Sequence, residues 1–492
     1  MMTHKSRIMK EQSLDPENWH QMRKLGHQVI DDVIDLLCNI GHVPVWNEVP
    51  QEVKNTLSTD LPQFPTTAND VYVEFLRTIL PYPKGNIHPR FFAWVQGGGT
   101  PLGAFADLLA SAMNPNVTIG EHSAMYVDQQ VVKWCKQLMG FPETSSGLLV
   151  SGGSMANITA LTVARNHKAG YDVRTNGLYG SPAALVLYCS VETHSCVLKA
   201  AEILGLGKNS VRLIGVDKQY RIKIKDLEKQ IQTDLKTGFS PFCVVATVGT
   251  VNTGAIDPLK SIRDICRTYQ LWFHIDGAYG APAKLTGSHK QRLRYIEDAD
   301  SVAFDLHKWF QAPYEAGCVL IKDQEVHRAA FSFTPKYLMN EMEGLAGGLD
   351  PITNYGFELS RGFKALKVWM SFKEHGIKKI TRQIVQNLRQ AKHLGLLITR
   401  NPELELMAPI SLSIVCYRFI RQGISQSEAN ALNRELLIKL QVSGIASPSS
   451  TILGGAYCIR VCVLNHRTKT SDIELLVAQS IKIGYSISEA IK

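Results

Sequence analysis

The chain has 492 residues, too many for one compact core, so we expect two or three domains. Its 45% hydrophobic and 20% charged residues are typical of a soluble globular protein, and apolar runs such as Val244–Ala246 are too short to span a membrane. The net charge of +9 comes from scattered Lys and Arg residues, which argues against a nucleic-acid partner.

The amino-terminal segment combines a polar start with a predicted amphipathic helix. Residues 1–10 are polar and basic and lack the apolar run of a secretory signal, so we predict a cytoplasmic protein. Asp15 is the predicted helix cap, with Pro16 at the first helical position. Apolar side chains then share one helix face, at Val29, Ile30, Val33, Ile34 and Leu37. Such a face needs a surface to pack on, and a second subunit is a reasonable candidate.

Short apolar runs alternate with helical stretches from about Gly97 onward. The runs predict buried strands at Leu148–Val150, Ala184–Tyr188, Val211–Val216, Cys243–Val248, Trp272–Ile275, Val302–Leu306 and Cys318–Ile321. Helices are predicted between several of them, for example at Ser154–Lys168 and Leu259–Tyr269. This alternation predicts an α/β fold with a mostly parallel sheet, in which ligands bind at the carboxyl ends of the strands.

The last part of the chain mixes helices and strands in a different pattern. A helix is predicted at Lys378–Leu397, and strands at Leu412–Phe419 and Ala456–Val463. We therefore predict three regions: an amino-terminal helical segment (1–96), a large domain (97–372) and a small α+β domain (373–492). The ten cysteines contain no CxxC pair, which favours reduced core thiols over disulfides or a metal site.

Two motifs at predicted strand ends indicate a cofactor. Asp305-Leu306-His307-Lys308 brings a lysine to the end of one strand, and His274-Ile275-Asp276-Gly277-Ala278 brings an acid to the end of another. Pyridoxal phosphate requires a lysine for a Schiff base and an acid beside its pyridine nitrogen. The neighbours of Lys308 are apolar or aromatic, so we expect burial to lower its pKa and assist the Schiff base.

Further residues complete this cofactor site. Ser151-Gly152-Gly153-Ser154 follows a strand and opens a helix, an arrangement suited to a phosphate group. His194 can stack on one face of the pyridine ring while Ala278 supports the other. Together these residues predict a pyridoxal phosphate enzyme.

The same segments resemble the group II pyridoxal phosphate-dependent decarboxylases, which act on aromatic amino acids, histidine or glutamate. The resemblance extends over nearly the whole chain, from His88–Ala93 to Leu359–Lys367. It implies the fold type I, aspartate aminotransferase-like architecture. It also implies a homodimer with shared active sites and an amino acid as substrate.

The resemblance also assigns roles to individual residues. It implies that Lys308 carries the cofactor, Asp276 pairs with the ring nitrogen, His194 stacks on the ring and His307 helps to position cofactor and substrate. Other implied cofactor contacts are Gly153, Ser154, Thr250, Ala278 and Ser301. Tyr337 matches a tyrosine of the mobile catalytic loop, and Arg361 an arginine used near it.

Two positions depart from the family pattern. Val251 stands where family members often have a threonine after Gly249-Thr250, so a hydroxyl contact is missing there. Asp305 stands near the phosphate site, where animal aromatic decarboxylases usually have asparagine. An ionised Asp305 would repel the phosphate and must therefore be paired or turned away.

The substrate is predicted from the segment after Phe91-Phe92-Ala93. Trp94 and Val95 would form an apolar, aromatic pocket, which favours an aromatic L-amino acid. The alternative is an acidic amino acid such as glutamate, with Arg90 as its carboxylate partner. Aldehyde formation is disfavoured because the loop tyrosine is typically replaced in such enzymes, and a non-catalytic protein is disfavoured because the catalytic set is complete.

Overall fold

The protein is described by a computed structural model that covers residues 12–333 and 343–490. These residues form two compact units, which divide between Lys84 and Gly85. The three regions predicted from the sequence, with boundaries at residues 96 and 372, stay a prediction.

The first unit is helical. Its helices are α1 (Trp19–Asn39), α2 (Gln51–Thr56) and α3 (Ala68–Thr78), with a short 3-10 turn at Ile40–His42. The cap of α1 is Asn18, whose Oδ1 accepts hydrogen bonds from the backbone N–H groups of His20 and Gln21 at 3.0 and 3.1 Å. The predicted start at Asp15 and Pro16 is therefore wrong, because Asn18 satisfies the first free N–H groups. No residue of α1 is buried.

A seven-stranded sheet forms the centre of the second unit. Its strands are β1 (Ser146–Val150), β2 (Leu185–Ser190), β3 (Val211–Ile214), β4 (Ser240–Thr247), β5 (Trp272–Asp276), β6 (Ser301–Asp305) and β7 (Gly317–Ile321). They lie in the order β1-β7-β6-β5-β4-β2-β3, and only β7 runs antiparallel to its neighbours. Every residue of β2, β5, β6 and β7 is buried, which requires cover on both faces of the sheet. The predicted strands and the mostly parallel sheet are confirmed.

Helices connect and cover these strands. They are α4 (Pro101–Met113), α5 (Ser123–Met139), α6 (Gly153–Lys168), α7 (Val173–Asn176), α8 (Ser195–Ile203), α9 (Ile224–Lys236), α10 (Leu259–Thr268), α11 (Lys290–Leu293) and α12 (Gln324–Phe331). Short 3-10 turns lie at Lys208–Ser210, Ala281–Leu285, Arg294–Asp298 and Ile352–Tyr355. Helix α6 packs on β4, β5, β6 and β7, so the turn that opens this helix lies over the middle of the sheet.

The carboxyl-terminal part adds a four-stranded antiparallel sheet. The strands are β8 (Leu404–Leu406), β9 (Ile414–Phe419), β10 (Ser449–Leu453) and β11 (Ala456–Cys462), in the order β10-β11-β9-β8. The helices are α13 (Ala365–Arg400), α14 (Gln426–Val442) and α15 (Thr470–Ala490), and α13 is interrupted at Gly376, whose φ of +61° is not helical. Within residues 12–333 and 343–490, none of the helices is long and apolar enough to cross a membrane.

Candidate active site

A cavity of about 640 Å³ opens at the carboxyl edge of the large sheet. Asp276 and Asp305, the last residues of β5 and β6, line it, as do Ser151, directly after β1, and His194, in the turn after β2. Nine of the predicted site residues meet in this cavity: Trp94, Val95, Gly153, Ser154, His194, Asp276, Ala278, His307 and Lys308. Parallel strands bring these residues together because their carboxyl ends share one edge of the sheet.

Lys308 forms an ion pair at the floor of the cavity. Its Nζ lies 2.7 Å from Oδ2 of Asp305, and about a fifth of the lysine side chain is exposed. Burial acts to lower the pKa of the Lys308 ammonium, but the attraction and hydrogen bond of Asp305 outweigh it, so the pKa is raised. The prediction that burial would lower this pKa is therefore wrong, because the sequence did not reveal that Asp305 faces the lysine.

Asp276 and His194 face the same cavity from β5 and from the start of α8. Burial raises the pKa of the Asp276 carboxyl, while its hydrogen bond from the backbone N–H of Ala278 (3.2 Å) and the nearby charge of Lys308 act to lower it. Burial lowers the pKa of His194, whose Nδ1 accepts a hydrogen bond from the backbone N–H of Cys196 at 3.1 Å. A neutral imidazole in this place is suited to stack on an aromatic ring.

The turn between β1 and α6 is packed too closely for side chains. A Cβ on Gly153 would lie 3.0 Å from Cβ of Ala278, and one on Gly317 would lie 2.5 Å from Cα of Gly152. Helix α6 begins at Gly153 with no side-chain cap, so its first N–H groups are free to bind an anion.

His307 is held between a strand end and an aromatic ring. Its Nδ1 accepts a hydrogen bond from the backbone N–H of Ala316 at 3.1 Å, so the neutral ring carries its proton on Nε2. That Nε2 lies 3.7 Å from Oδ2 of Asp305. The ring of Tyr314, which sequence reasoning did not identify, lies against the imidazole with a centroid separation of 4.3 Å.

Two predicted cofactor contacts lie outside the cavity. Ser301 is the first residue of β6, at the opposite end of the strand from Asp305, and its hydroxyl is bonded to Trp272 and His274. Thr250 is buried, and its hydroxyl bonds Thr253 and the backbone N–H of Ala255. The direction of each strand and these local bonds keep both hydroxyls away from the site.

Two more predicted residues, Arg90 and Arg361, do not line the cavity. The Arg90 guanidinium bonds the carbonyl of Ile445 and faces Asp472, while that of Arg361 bonds the carbonyls of Val117 and Leu149. The guanidinium of Arg361 also faces Asp128 and Glu358 at 3.7 and 3.9 Å. Tyr337 lies outside the described residues, so its role stays a prediction.

Arg460 is a cavity residue that sequence reasoning missed. It projects from β11, is 3% exposed, and bonds the carbonyls of Val251 and Trp94 at 2.9 Å each. Its Nη2 is buried without a hydrogen-bond partner among the described residues. The signal in the sequence was an arginine in the apolar strand Ala456–Cys462, where a charge requires a buried anionic partner.

A buried hydrogen-bond chain supports the glycine turn from below and was also missed. Ser301 Oγ lies 2.8 Å from His274 Nδ1, and His274 Nε2 lies 2.7 Å from Asn157 Oδ1. The amide of Asn157 donates in turn to the carbonyl of Gly153 at 2.8 Å. Burial lowers the pKa of His274 to about 3, so the ring is neutral and can link the two partners.

The residues of the cavity fit pyridoxal phosphate. The uncapped start of α6 leaves backbone N–H donors for a phosphate, and Lys308 and Asp276 face the same cavity. Lys308 would hold the aldehyde carbon and Asp276 the ring nitrogen, with His194 and Ala278 beside the ring. Asp305 carries a charge that is unfavourable for a phosphate, and its Oδ1 is buried without a partner in the described structure.

Comparisons with known proteins agree with this chemistry. The family model described as "Pyridoxal-dependent decarboxylase conserved domain" matches residues 50–420. An aromatic-L-amino-acid decarboxylase of Bacillus atrophaeus is 34% identical, over 94% of this chain and 97% of the relative. A phenylacetaldehyde synthase of Arabidopsis thaliana is 27% identical, over 92% and 93%.

The fold is shared with a solved enzyme. The crystal structure of Oryza sativa TDC with PLP and tryptamine superposes with a TM-score of 0.88 at 24% identity, covering 96% of this chain and all of that one. This likeness shows that the chain has the same fold. With a family match over most of its length, the chain belongs to the pyridoxal-dependent decarboxylases and is an enzyme whose cofactor is pyridoxal phosphate.

Proposed function

We propose that this enzyme removes the α-carboxylate of an aromatic L-amino acid and releases the corresponding amine and carbon dioxide. The observation that carries the proposal is the meeting of Lys308, Asp276 and His194 in one cavity at the strand ends. The aromatic-L-amino-acid decarboxylase of Bacillus atrophaeus, similar along almost its whole length, supports the substrate class.

The cofactor and the protein contribute different parts of the chemistry. Bound pyridoxal phosphate supplies an electron-poor ring that accepts the electrons of the bond between the α-carbon and the carboxylate. Asp276, as a carboxylate, would keep a proton on the pyridine nitrogen, and His194 and Ala278 would lie beside the ring. Gly153 and Ser154 offer backbone N–H groups to the phosphate, and Lys308 is the lysine that binds and releases the cofactor.

Arg460 is suited to hold the carboxylate that will be lost. Its unpartnered Nη2 is buried at the cavity wall, and a carboxylate satisfies such a group with a charge-assisted hydrogen bond. The other guanidinium nitrogens are fixed by Val251, Trp94 and Ser449, so the orientation of Nη2 is set before the substrate arrives. This orientation would hold the scissile bond in a constant direction relative to the ring.

The wall of the cavity favours an aromatic side chain over an acidic one. Trp94, Val95, Val251 and Tyr314 present aromatic and apolar surface to the cavity. Arg90, on which the acidic-substrate alternative depended, does not line the cavity and is bonded to Ile445. These contacts support an aryl substrate.

Tyr337 is proposed as the acid that returns a proton to the α-carbon. This role follows from the family resemblance of residues 333–338 and is part of the proposal. His307, bonded to Ala316 and in contact with the ring of Tyr314, would present its Nε2 proton beside the cofactor.

The function is tested by measuring amine and carbon dioxide from each of the twenty amino acids and from DOPA. Borohydride reduction followed by peptide mapping should place the pyridoxyl group on Lys308. Lys308→Ala should lose the label, while Lys367→Ala, which removes another largely buried lysine paired with an acid (Asp107), should keep it. A label on another lysine, or amine formed from acidic amino acids alone, would contradict the proposal.

We also propose a cytoplasmic homodimer with shared active sites. Exposed apolar side chains on two helices, one in each unit, support the dimer. Helix α1 has no buried residue. Helix α4 buries only Gly103 and Ala106, while Leu108, Leu109 and Met113 are exposed. Apolar helix faces of this kind require a covering surface. Removal of residues 1–40 should give aggregated or inactive protein, and a soluble, active monomer in light scattering would refute this part.

A further inference from the structure

An acidic side chain lies where an anionic cofactor group is expected. Asp305 is the last residue of β6, and its side chain is 2% exposed. Its Oδ2 lies 2.7 Å from Nζ of Lys308, and its Oδ1 is buried with no partner among the described residues. One oxygen of this buried carboxylate is therefore committed to the lysine that the proposed function needs.

The same carboxylate lies directly under the glycine turn. A Cβ on Gly153 would lie 3.1 Å from Oδ2 of Asp305, and one on Gly152 would lie 3.8 Å from Oδ1. Asp305 thus stands between Lys308 and the turn proposed to bind the phosphate. A negative charge in this place opposes the phosphate and favours the protonated lysine.

Titratable groups surround the pair from several elements. His307 follows on the same turn, and its Nε2 is 3.7 Å from Asp305 Oδ2. Other titratable groups also interact with the charge of Asp305 or Lys308. They are Asp276 of β5, His194 and Cys196 at the start of α8, Tyr314 before β7, Cys318 of β7 and Cys462 of β11. Of these, Asp276 is the second acid, and among the residues that the structure describes Asp305 is the acid paired with the Lys308 ammonium.

We propose that Asp305 is the counter-ion that keeps Lys308 protonated in the cofactor-free protein and thereby limits the rate of cofactor loading. The inference rests on the proposed function, because it takes Lys308 as the lysine that binds the cofactor. Loading requires the ammonium to give one proton to solvent. The neutral amine then attacks the aldehyde carbon, a carbon–nitrogen double bond forms, and the aldehyde oxygen leaves as water with the two remaining amine protons.

The electrostatics of the pair agree with this role. Burial acts to lower the pKa of Lys308, and the attraction and hydrogen bond of Asp305 reverse that effect. Removing the charge of Asp305 leaves burial as the dominant influence, so the amine fraction at neutral pH should rise. Each unit by which the lysine pKa falls increases that fraction about tenfold.

The decisive experiment follows cofactor loading in Asp305→Asn. Protein freed of cofactor with hydroxylamine is mixed with pyridoxal phosphate, and absorbance of the carbon–nitrogen double bond is recorded across a pH series. We expect loading at neutral pH to be faster by about tenfold or more, with the pH profile moved to lower pH by about one unit or more. An unchanged rate and profile would overturn the inference.

Pyridoxal, which has no phosphate, separates the two effects of the carboxylate. If Asp305 acts on the lysine, the gain in rate should be the same with pyridoxal. A gain seen with pyridoxal phosphate alone would show that Asp305 acts by repelling the phosphate, and it would overturn the proposal. Asp234→Asn is the matched control, because Asp234 is a buried acid paired with Arg212 at 3.0 Å outside the cavity. This control should load as the unchanged protein does.

The unchanged protein supplies a test that needs no variant to fold. Its loading rate should still be rising at about pH 9, since the lysine remains protonated there. A rate that levels off near pH 8 would overturn the inference. Failure of the unchanged protein to attach the cofactor to Lys308 at any pH would instead refute the proposed function, so the two failures are distinguishable.

Discussion

Replacing Arg460 by lysine should weaken binding of the amino-acid substrate far more than binding of the amine product. The two molecules differ by the α-carboxylate that Nη2 of Arg460 is proposed to hold. Lysine keeps the positive charge but loses the planar arrangement of donors, so it reaches the carboxylate without a fixed direction. The variant therefore tests the geometry of the guanidinium and not merely its charge.

The magnitude follows from the bonds of this one side chain. Nε and Nη1 are already engaged by backbone carbonyls and by Ser449, which leaves Nη2 for the substrate. A hydrogen bond to a charged group contributes about 1.5–3 kcal/mol, which corresponds to roughly a 10- to 150-fold increase in KM. The inhibition constant of the amine should change by less than about threefold, since this contact is absent in the amine.

Steady-state kinetics with the amino acid, and competitive inhibition by its amine, measure the two effects in the same preparation. Ser449→Ala is the control, because it removes one neutral partner of Arg460 at 3.2 Å and leaves Nη2 intact. Its effect on both ligands should be small. An equal loss of affinity for substrate and amine in Arg460→Lys would refute the reasoning, because it would indicate a general disturbance of the cavity.

The remaining predictions concern proton positions. Asp276→Asn should keep the cofactor but lose rate by about a hundredfold or more, the scale of one preorganised electrostatic contact; retention of most of kcat would show that Asp276 is not the partner of the ring nitrogen. Tyr337→Phe should lower amine formation by about two to four powers of ten with little change in binding, and an unchanged amine rate without aldehyde would show that Tyr337 is not the acid. The pKa of His274 is about 3 in the folded protein, against an ordinary value of 6.5. As the pH falls from 6.5 to 3, the imidazole therefore gains a proton in the unfolded chain first, and the free energy of unfolding decreases. His274 accounts for about 3 kcal/mol of this decrease near pH 4. In denaturant unfolding, the free energy of unfolding of His274→Gln should depend less on pH in this range than that of the unchanged protein. An identical pH dependence would contradict the assignment.

The order of strands and helices in the large sheet was predictable because it depends on local patterns. Apolar runs of strand length, separated by helical stretches, are present in the sequence itself, and all seven predicted strands are observed. Residues placed directly at or after strand ends, among them His194, Asp276 and Lys308, then had to meet at one edge of the sheet. The start of α1 was not predictable to the same degree, since Asn18 and Asp15 are both good caps and only the folded backbone selects one.

The use of each polar group was decided by tertiary structure. Arg90 matched a site residue by sequence, yet its guanidinium bonds a carbonyl at residue 445, and Arg460 is brought from β11 to the cavity beside Trp94. The pKa of Lys308 is raised because the carboxylate of Asp305, three residues earlier, faces its ammonium group. The sequence places the two residues close together but does not show how their side chains are oriented. Local sequence thus determined which residues stand at strand ends, while long-range contacts determined which donors remained free to bind a ligand, because a hydrogen bond made inside the protein removes that donor from the site.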